Sequence, residues 1–68
     1  MKASYDSHTD TLSILLRANA RVVESDELRP GIIVDFDEEG NLVSLEILDA
    51  STRVTDADKV DFETIKST

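Results

Sequence analysis

Sixty-eight residues with fifteen acidic and seven basic side chains, a formal charge of −8 and no cysteine make one small acidic domain without disulfides or thiolate metal sites. No apolar run reaches the roughly 18 residues that span a bilayer, and M-K-A-S-Y-D lacks the apolar stretch of a signal peptide, so the expectation is a cytoplasmic chain without a membrane partner. The charge excess lies in residues 24–49, where nine acidic groups face Arg29 alone; that field repels phosphate backbones, disfavours direct nucleic-acid binding and suits a basic protein.

Along the chain, Ala3 and Tyr5 alternate with Lys2 and Ser4 over 2–5, and Leu12, Ile14 and Leu16 alternate with Thr11 and Ser13 over 11–16. Both patterns predict strands with one buried face. The intervening D-S-H-T-D consists of turn formers whose short polar side chains bond their own backbone, so the two strands make a hairpin. R-A-N-A-R at 17–21 reads as a connection, and Val22-Val23 begins a short strand ending in the acidic S-D-E. Pro30 holds Arg29 extended, and Gly31 permits an unusual φ.

The best-specified element is the next hairpin, 31–37 with 41–47. It places Ile32, Val34 and Phe36 on one face and Val43, Leu45 and Ile47 on the facing strand. Its turn, Asp37-Glu38-Glu39-Gly40, suits a type I turn with Gly40 left-handed, which pairs Asp37 with Asn41. Matching the apolar faces pairs Asp37 with Leu42 instead. A one-residue slip would expose three large aliphatics, so the matched faces are preferred. Residues 48–53 predict one or two helical turns. Val60 and Phe62 alternate against Asp61 and Glu63, which predicts a final edge strand over 59–65, although Thr55-Asp56-Ala57-Asp58 resembles a helix capping box.

Residues 35–46, D-F-D-E-E-G-N-L-V-S-L-E, carry the sharpest motif. Asp35, Asp37, Glu39, Gly40 and Glu46 match positions 1, 3, 5, 6 and 12 of a calcium-binding EF-hand loop. Such loops join two helices, whereas here both flanks have the period of strands. Glu39 is long for its position, and Glu46 lies several residues down a strand, too far to fold back onto Asp35. The acidic turn of a hairpin is the better reading. Asp6, His8 and Asp10 could present one imidazole and two carboxylates, yet a lone histidine in a polar turn is far more often solvated. With His8 the single histidine and Gly31 and Gly40 the two glycines, no His pair, nucleophile elbow or glycine-rich phosphate loop is present. Catalysis is not expected, and neither is a cofactor.

Several blocks together resemble a known family. They are Tyr5-Asp6, Asp10-x-Leu12-x-Ile14, Val23-Glu24-Ser25, the run from Gly31 to Asn41, and Glu46-Ile47-Leu48-Asp49-Ala50-Ser51. In this order they resemble the small prokaryotic domain-of-unknown-function family numbered 2283, over nearly the whole chain. Ser7 and His8 stand where members commonly have a proline or an acidic residue, and members have an aromatic near Ser13. The resemblance implies a compact, mostly β domain of bacterial or archaeal type without assigned activity, and an antitoxin-like role as partner of a small toxin-like protein.

The expected architecture is therefore mainly β, at the border of α+β: a small antiparallel sheet of four to five strands with one short helix near 48–53. Ile33, Leu42 and Leu15 oppose the main apolar set, and one short helix cannot cover two faces, so a homodimer is expected. The expected function is a non-enzymatic protein-binding module whose partner surface is Asp35, Asp37, Glu38, Glu39 and Glu46. The alternatives are a carboxylate-based metal-ion binder, using Asp35, Asp37, Glu38 and Glu39 or the Asp6/His8/Asp10 turn, and an acidic mimic of nucleic acid with carboxylates spaced along one face.

Overall fold

The computed structural model describes residues 1–67. Five strands form one antiparallel sheet: β1 (Lys2–Asp6), β2 (Thr11–Leu15), β3 (Glu24–Arg29), β4 (Ile32–Phe36) and β5 (Leu42–Leu48), followed by a single helical turn, α1 (Ala50–Arg53). The spatial order is β1-β2-β5-β4-β3. The β1–β2 hairpin is local. The chain then crosses to the far edge through residues 16–23, and β3, β4 and β5 return as a meander that docks against β2. Among the described residues no helix is long and apolar enough to cross a membrane.

The alternation read from the sequence builds one apolar face. Ala3 pairs with Ile14 and Tyr5 with Leu12; Leu12 and Ile14 pair with Ile47 and Leu45; Ile47 and Leu45 pair with Ile32 and Val34. Because successive side chains point to opposite faces, Lys2, Ser4, Ser13, Ser44, Glu46, Ile33 and Asp35 fall on the other side. Leu12, Val34, Val43 and Ala50 are the buried apolar residues. This core is as thin as the aliphatic composition implied.

The central hairpin takes its turn from one sequence reading and its inner register from the other, and the preferred pairing of Asp37 with Leu42 is corrected. The Asp37 N–H donates to Asn41 O at 2.9 Å and the Gly40 N–H to Asp37 O at 3.0 Å, with Gly40 at φ 82°. That is the turn pairing Asp37 with Asn41, not with Leu42 as face-matching had required. Phe36 then pairs with Leu42 but Asp35 with Ser44, so Val43 is an extra residue on β5. The bulge restores the match of Val34 with Leu45 and Ile32 with Ile47. Val43 ends 3% exposed and Leu42 48% exposed. Local turn chemistry and core burial are each kept, and a second irregularity absorbs the difference. Gly40 has open space around it, so Gly40→Val should lose about 1–3 kcal/mol from backbone strain alone, read as a lower thermal melt without a change in sheet content.

Three further boundaries differ from the sequence reading. The strand expected to begin at Val22 starts at Glu24 and runs on to Arg29, because its backbone pairs with β4 from Glu24↔Phe36 to Arg29↔Ile32. The helix begins at Ala50: Leu48 stays in β5, and Asp49 turns the chain in the left-handed region at φ 53°. No strand forms over 59–65. Asp56 at φ 49° and a turn closed by Lys59 N–H to Asp56 O at 2.9 Å carry the tail toward the apolar face, where Val60 lines a cleft with Tyr5 and Leu12. The fifth strand is β3.

Candidate functional site

Two polar constellations stand out, and both are built by residues whose partners lie far away in sequence. The first is centred on Asp10, which ends the β1–β2 turn in the left-handed region at φ 53°. Its Oδ1 accepts from the Tyr5 hydroxyl at 2.6 Å and from the Ser51 N–H at 2.9 Å. Its Oδ2 accepts from the Ser51 hydroxyl at 2.6 Å, and its backbone carbonyl accepts from the Ala50 N–H at 2.9 Å. Asp49, the residue in the N-cap position, makes no side-chain cap bond, so Asp10 caps α1 from across the molecule. The Ser51 and then the Tyr5 hydroxyl hold the Asp10 carboxyl below its ordinary range. The same bond from Tyr5 to the carboxylate, with burial second, raises the Tyr5 phenol.

The second constellation crosses three strands on the polar face. Asp35 of β4 accepts from the Ser25 hydroxyl of β3 at 2.5 Å and from the Ser44 hydroxyl of β5 at 2.6 Å. These two bonds lower its carboxyl pKa, Ser25 contributing most. Charge-assisted bonds of this kind are short and directional, and here they fasten the edge strand to the centre of the sheet.

The residues expected to form a partner surface are divided between these features. Asp37 is structural: its Oδ1 accepts from the Glu39 and Asn41 N–H groups at 3.0 and 2.9 Å, and its Oδ2 lies 3.4 Å from Arg17 Nε. Glu38 and Glu39 stand exposed at the turn tip. With Asp37 they line an open cleft of about 310 Å³ against Arg17, Asn19 and Arg21. Asp35 and Glu46 lie outside that cleft, on the polar face, where Asp35 pairs with Ser44 and Glu46 with Ile33. Glu46 is thus a diagonal neighbour of Asp35, not remote from it as the strand spacing had implied. What prevents a calcium loop is the use already made of the oxygens: Asp35 holds two serines and Asp37 the turn. Nor do Asp6, His8 and Asp10 converge, since Asp6 accepts from the His8 N–H at 2.9 Å and Asp10 turns toward α1. Among the described residues no group of three or more His, Asp or Glu side chains could hold a metal ion.

The partner surface named from the sequence left out three acids of the same acidic stretch. Glu24, Asp26 and Glu27 sit on β3, every residue of which is exposed, beside the turn that carries Glu38 and Glu39. Alternation places Glu24 and Asp26 on the side opposite Ser25 and Asp35, so the acids are split between two faces and do not form the single row that a nucleic-acid mimic requires. Three acids within four residues were the available signal; their lack of an apolar partner in the pattern hid the strand.

A family model described as "Protein of unknown function (DUF2283)" matches residues 2–51. The chain belongs to that family. The DUF2283 stretch runs from the first residue of β1 to Ser51, so it ends on the residue that supplies Asp10 with two donors. The tail beyond α1 lies outside the match. No curated protein and no solved structure matches the chain.

Proposed function

We propose that this DUF2283 domain is a non-enzymatic protein-binding module that meets a basic partner with one acidic edge. The observation that carries the reading is β3, an edge strand of six exposed residues that includes Glu24, Asp26 and Glu27. Its outer backbone groups are free to pair with an added strand, and its acids continue into Glu38 and Glu39 at the neighbouring turn. Charge on an edge strand also discourages indiscriminate pairing, which restricts the partners to those bringing complementary basic residues. The clefts are open and shallow, unlike the enclosing pockets of small-molecule sites. An antitoxin-like role, implied by the family resemblance, is one case of this reading.

The immobilised chain, used to capture partners from source-cell extract, supplies the test. Changing Glu38 and Glu39 to Gln should slow association with the captured basic protein and flatten its salt dependence, since exposed charge acts mainly through on-rate. The thermal melt should stay where it was or rise slightly, because like charges at one turn repel weakly. An unchanged association rate across salt concentrations would remove the acidic edge from the binding surface.

A further inference from the structure

We propose that the apolar face of the sheet is the interface between two copies of this chain, stacked sheet on sheet, with the tail residue Val60 at its rim. This goes beyond the acidic-edge reading, since it uses a different surface. The chain exposes 5562 Å², against about 4,200 Å² for a compact monomer of its 7.5 kDa. The excess surpasses the roughly 800 Å² that each partner contributes to a standard stable interface. The radius of gyration, 13.3 Å, likewise exceeds the value of about 11 Å for a compact domain of this length.

The core agrees with both quantities. No large side chain is fully buried, and a sheet with one apolar face requires a second layer to cover it. The single turn of α1 is too short to be that layer. Val60 and Phe62 are 62% and 76% exposed, and Val60 lines a cleft of about 220 Å³ with Tyr5 and Leu12, so the tail reaches the apolar side without closing it.

A second copy fits better than a foreign sheet because of where the charge lies. Glu24 and Asp26 share the apolar side but sit at the β3 edge alone. A two-fold axis running parallel to the strands, between the sheets and over β5, stacks β5 on β5 and sets each β3 edge over the partner's β1. The acidic edges are then as far apart as the sheet allows, while Leu45 and Ile47 meet their counterparts and Ile14 on β2 lies over the partner's β4, with the sheets about 10 Å apart.

Sedimentation equilibrium of the full chain at micromolar and higher concentration should give twice the monomer mass, and the melting temperature should rise with protein concentration. Two copies of charge −8 repel, so this association should tighten with added salt, opposite to the response expected for a basic partner. Val60→Ser, beside Tyr5 and Leu12 on the apolar side, should weaken dimerisation at least about tenfold. Leu42→Ser, at an exposed position opposite the apolar set, should leave it unchanged. Both side chains are exposed in the monomer, so neither variant endangers its fold. A monomer at all concentrations, a dimer indifferent to Val60→Ser, or one broken by Leu42→Ser would overturn the proposal.

Discussion

Asp10→Ala should lower the melting temperature more than any other single polar-to-alanine change in this molecule. The substitution strips acceptors from three donors, the Tyr5 hydroxyl and the Ser51 N–H and hydroxyl, and leaves an alanine at φ 53°, where aspartate and asparagine are tolerated better. It also uncaps α1 and frees the start of the tail. Asp10→Asn keeps the backbone preference and one acceptor, so it should fall between parent and alanine. The pH dependence carries a second signature. Folding lowers the Asp10 carboxyl, so its contribution is present above the ordinary carboxylate value and is lost as pH falls through the lowered one. Folding raises the Tyr5 phenol, so that contribution is present below the ordinary tyrosine value and disappears as pH rises through the raised one. Tyr5→Phe should therefore remove the alkaline limb and spare the Ser51 part of the acid limb. Asp35, lowered by Ser25 and Ser44, supplies an acid limb that survives in all three variants. Melts of parent, Asp10→Ala, Asp10→Asn and Tyr5→Phe across pH decide the matter; an Asp10→Ala protein that melts with the parent throughout would show that the cap does not hold the hairpin to the helix.

The parts of this fold legible in the sequence are those where side-chain pattern and backbone partner coincide. In β2, β4 and β5 the residues of the apolar face oppose one another, Leu12 and Ile14 against Ile47 and Leu45 and these against Ile32 and Val34, so alternation alone located the strands and their shared face. β3 was legible only at its start because E-S-D-E-L-R has no buried side: its backbone pairing with β4 and the Ser25–Asp35 bond make it a strand. The reverse holds for residues 59–65, where Val60 and Phe62 alternate but the turn at Asp56 directs the backbone away from any partner. The EF-hand match failed for a third reason, since Asp35 is engaged by two hydroxyls and Asp37 by turn amides. The Asp10 node shows what spacing cannot reveal. Turn formers predicted the loop at 6–10, but the choice of Ser51 as donor joins positions 41 residues apart. The family resemblance had quoted both residues without supplying the contact.

Gly31→Val should be the most damaging change at either glycine, losing roughly 2–5 kcal/mol where Gly40→Val loses strain alone. Both glycines have positive φ, 84° and 82°, so the strain component is shared. Their surroundings differ. A Cβ at Gly31 would lie 3.4 Å from Arg53 Nη2 and 3.5 Å from Leu48 Cβ, whereas nothing lies within 4 Å at Gly40. A Cβ by itself meets ordinary contact, but the γ-methyls of valine reach into the Arg53 guanidinium. That group donates to Pro30 O at 2.6 Å, and Gly31 is itself tied twice, its N–H to Glu27 Oε2 at 3.1 Å and its carbonyl to the Leu48 N–H at 2.8 Å. Displacing it disturbs the β3–β4 turn, the end of β5 and the anchor of α1 together. For a chain with a total stability of a few to about ten kcal/mol, that approaches unfolding at ambient temperature. Gly31→Ala and Gly40→Ala should then be nearly equal, while the valine variants diverge. The Arg53→Ala background sharpens the comparison, because removing the collision partner should return part of the Gly31→Val loss as a coupling energy. Denaturant melts of the four-member cycle measure it, and strict additivity would mean that Arg53 does not press on Gly31 in solution.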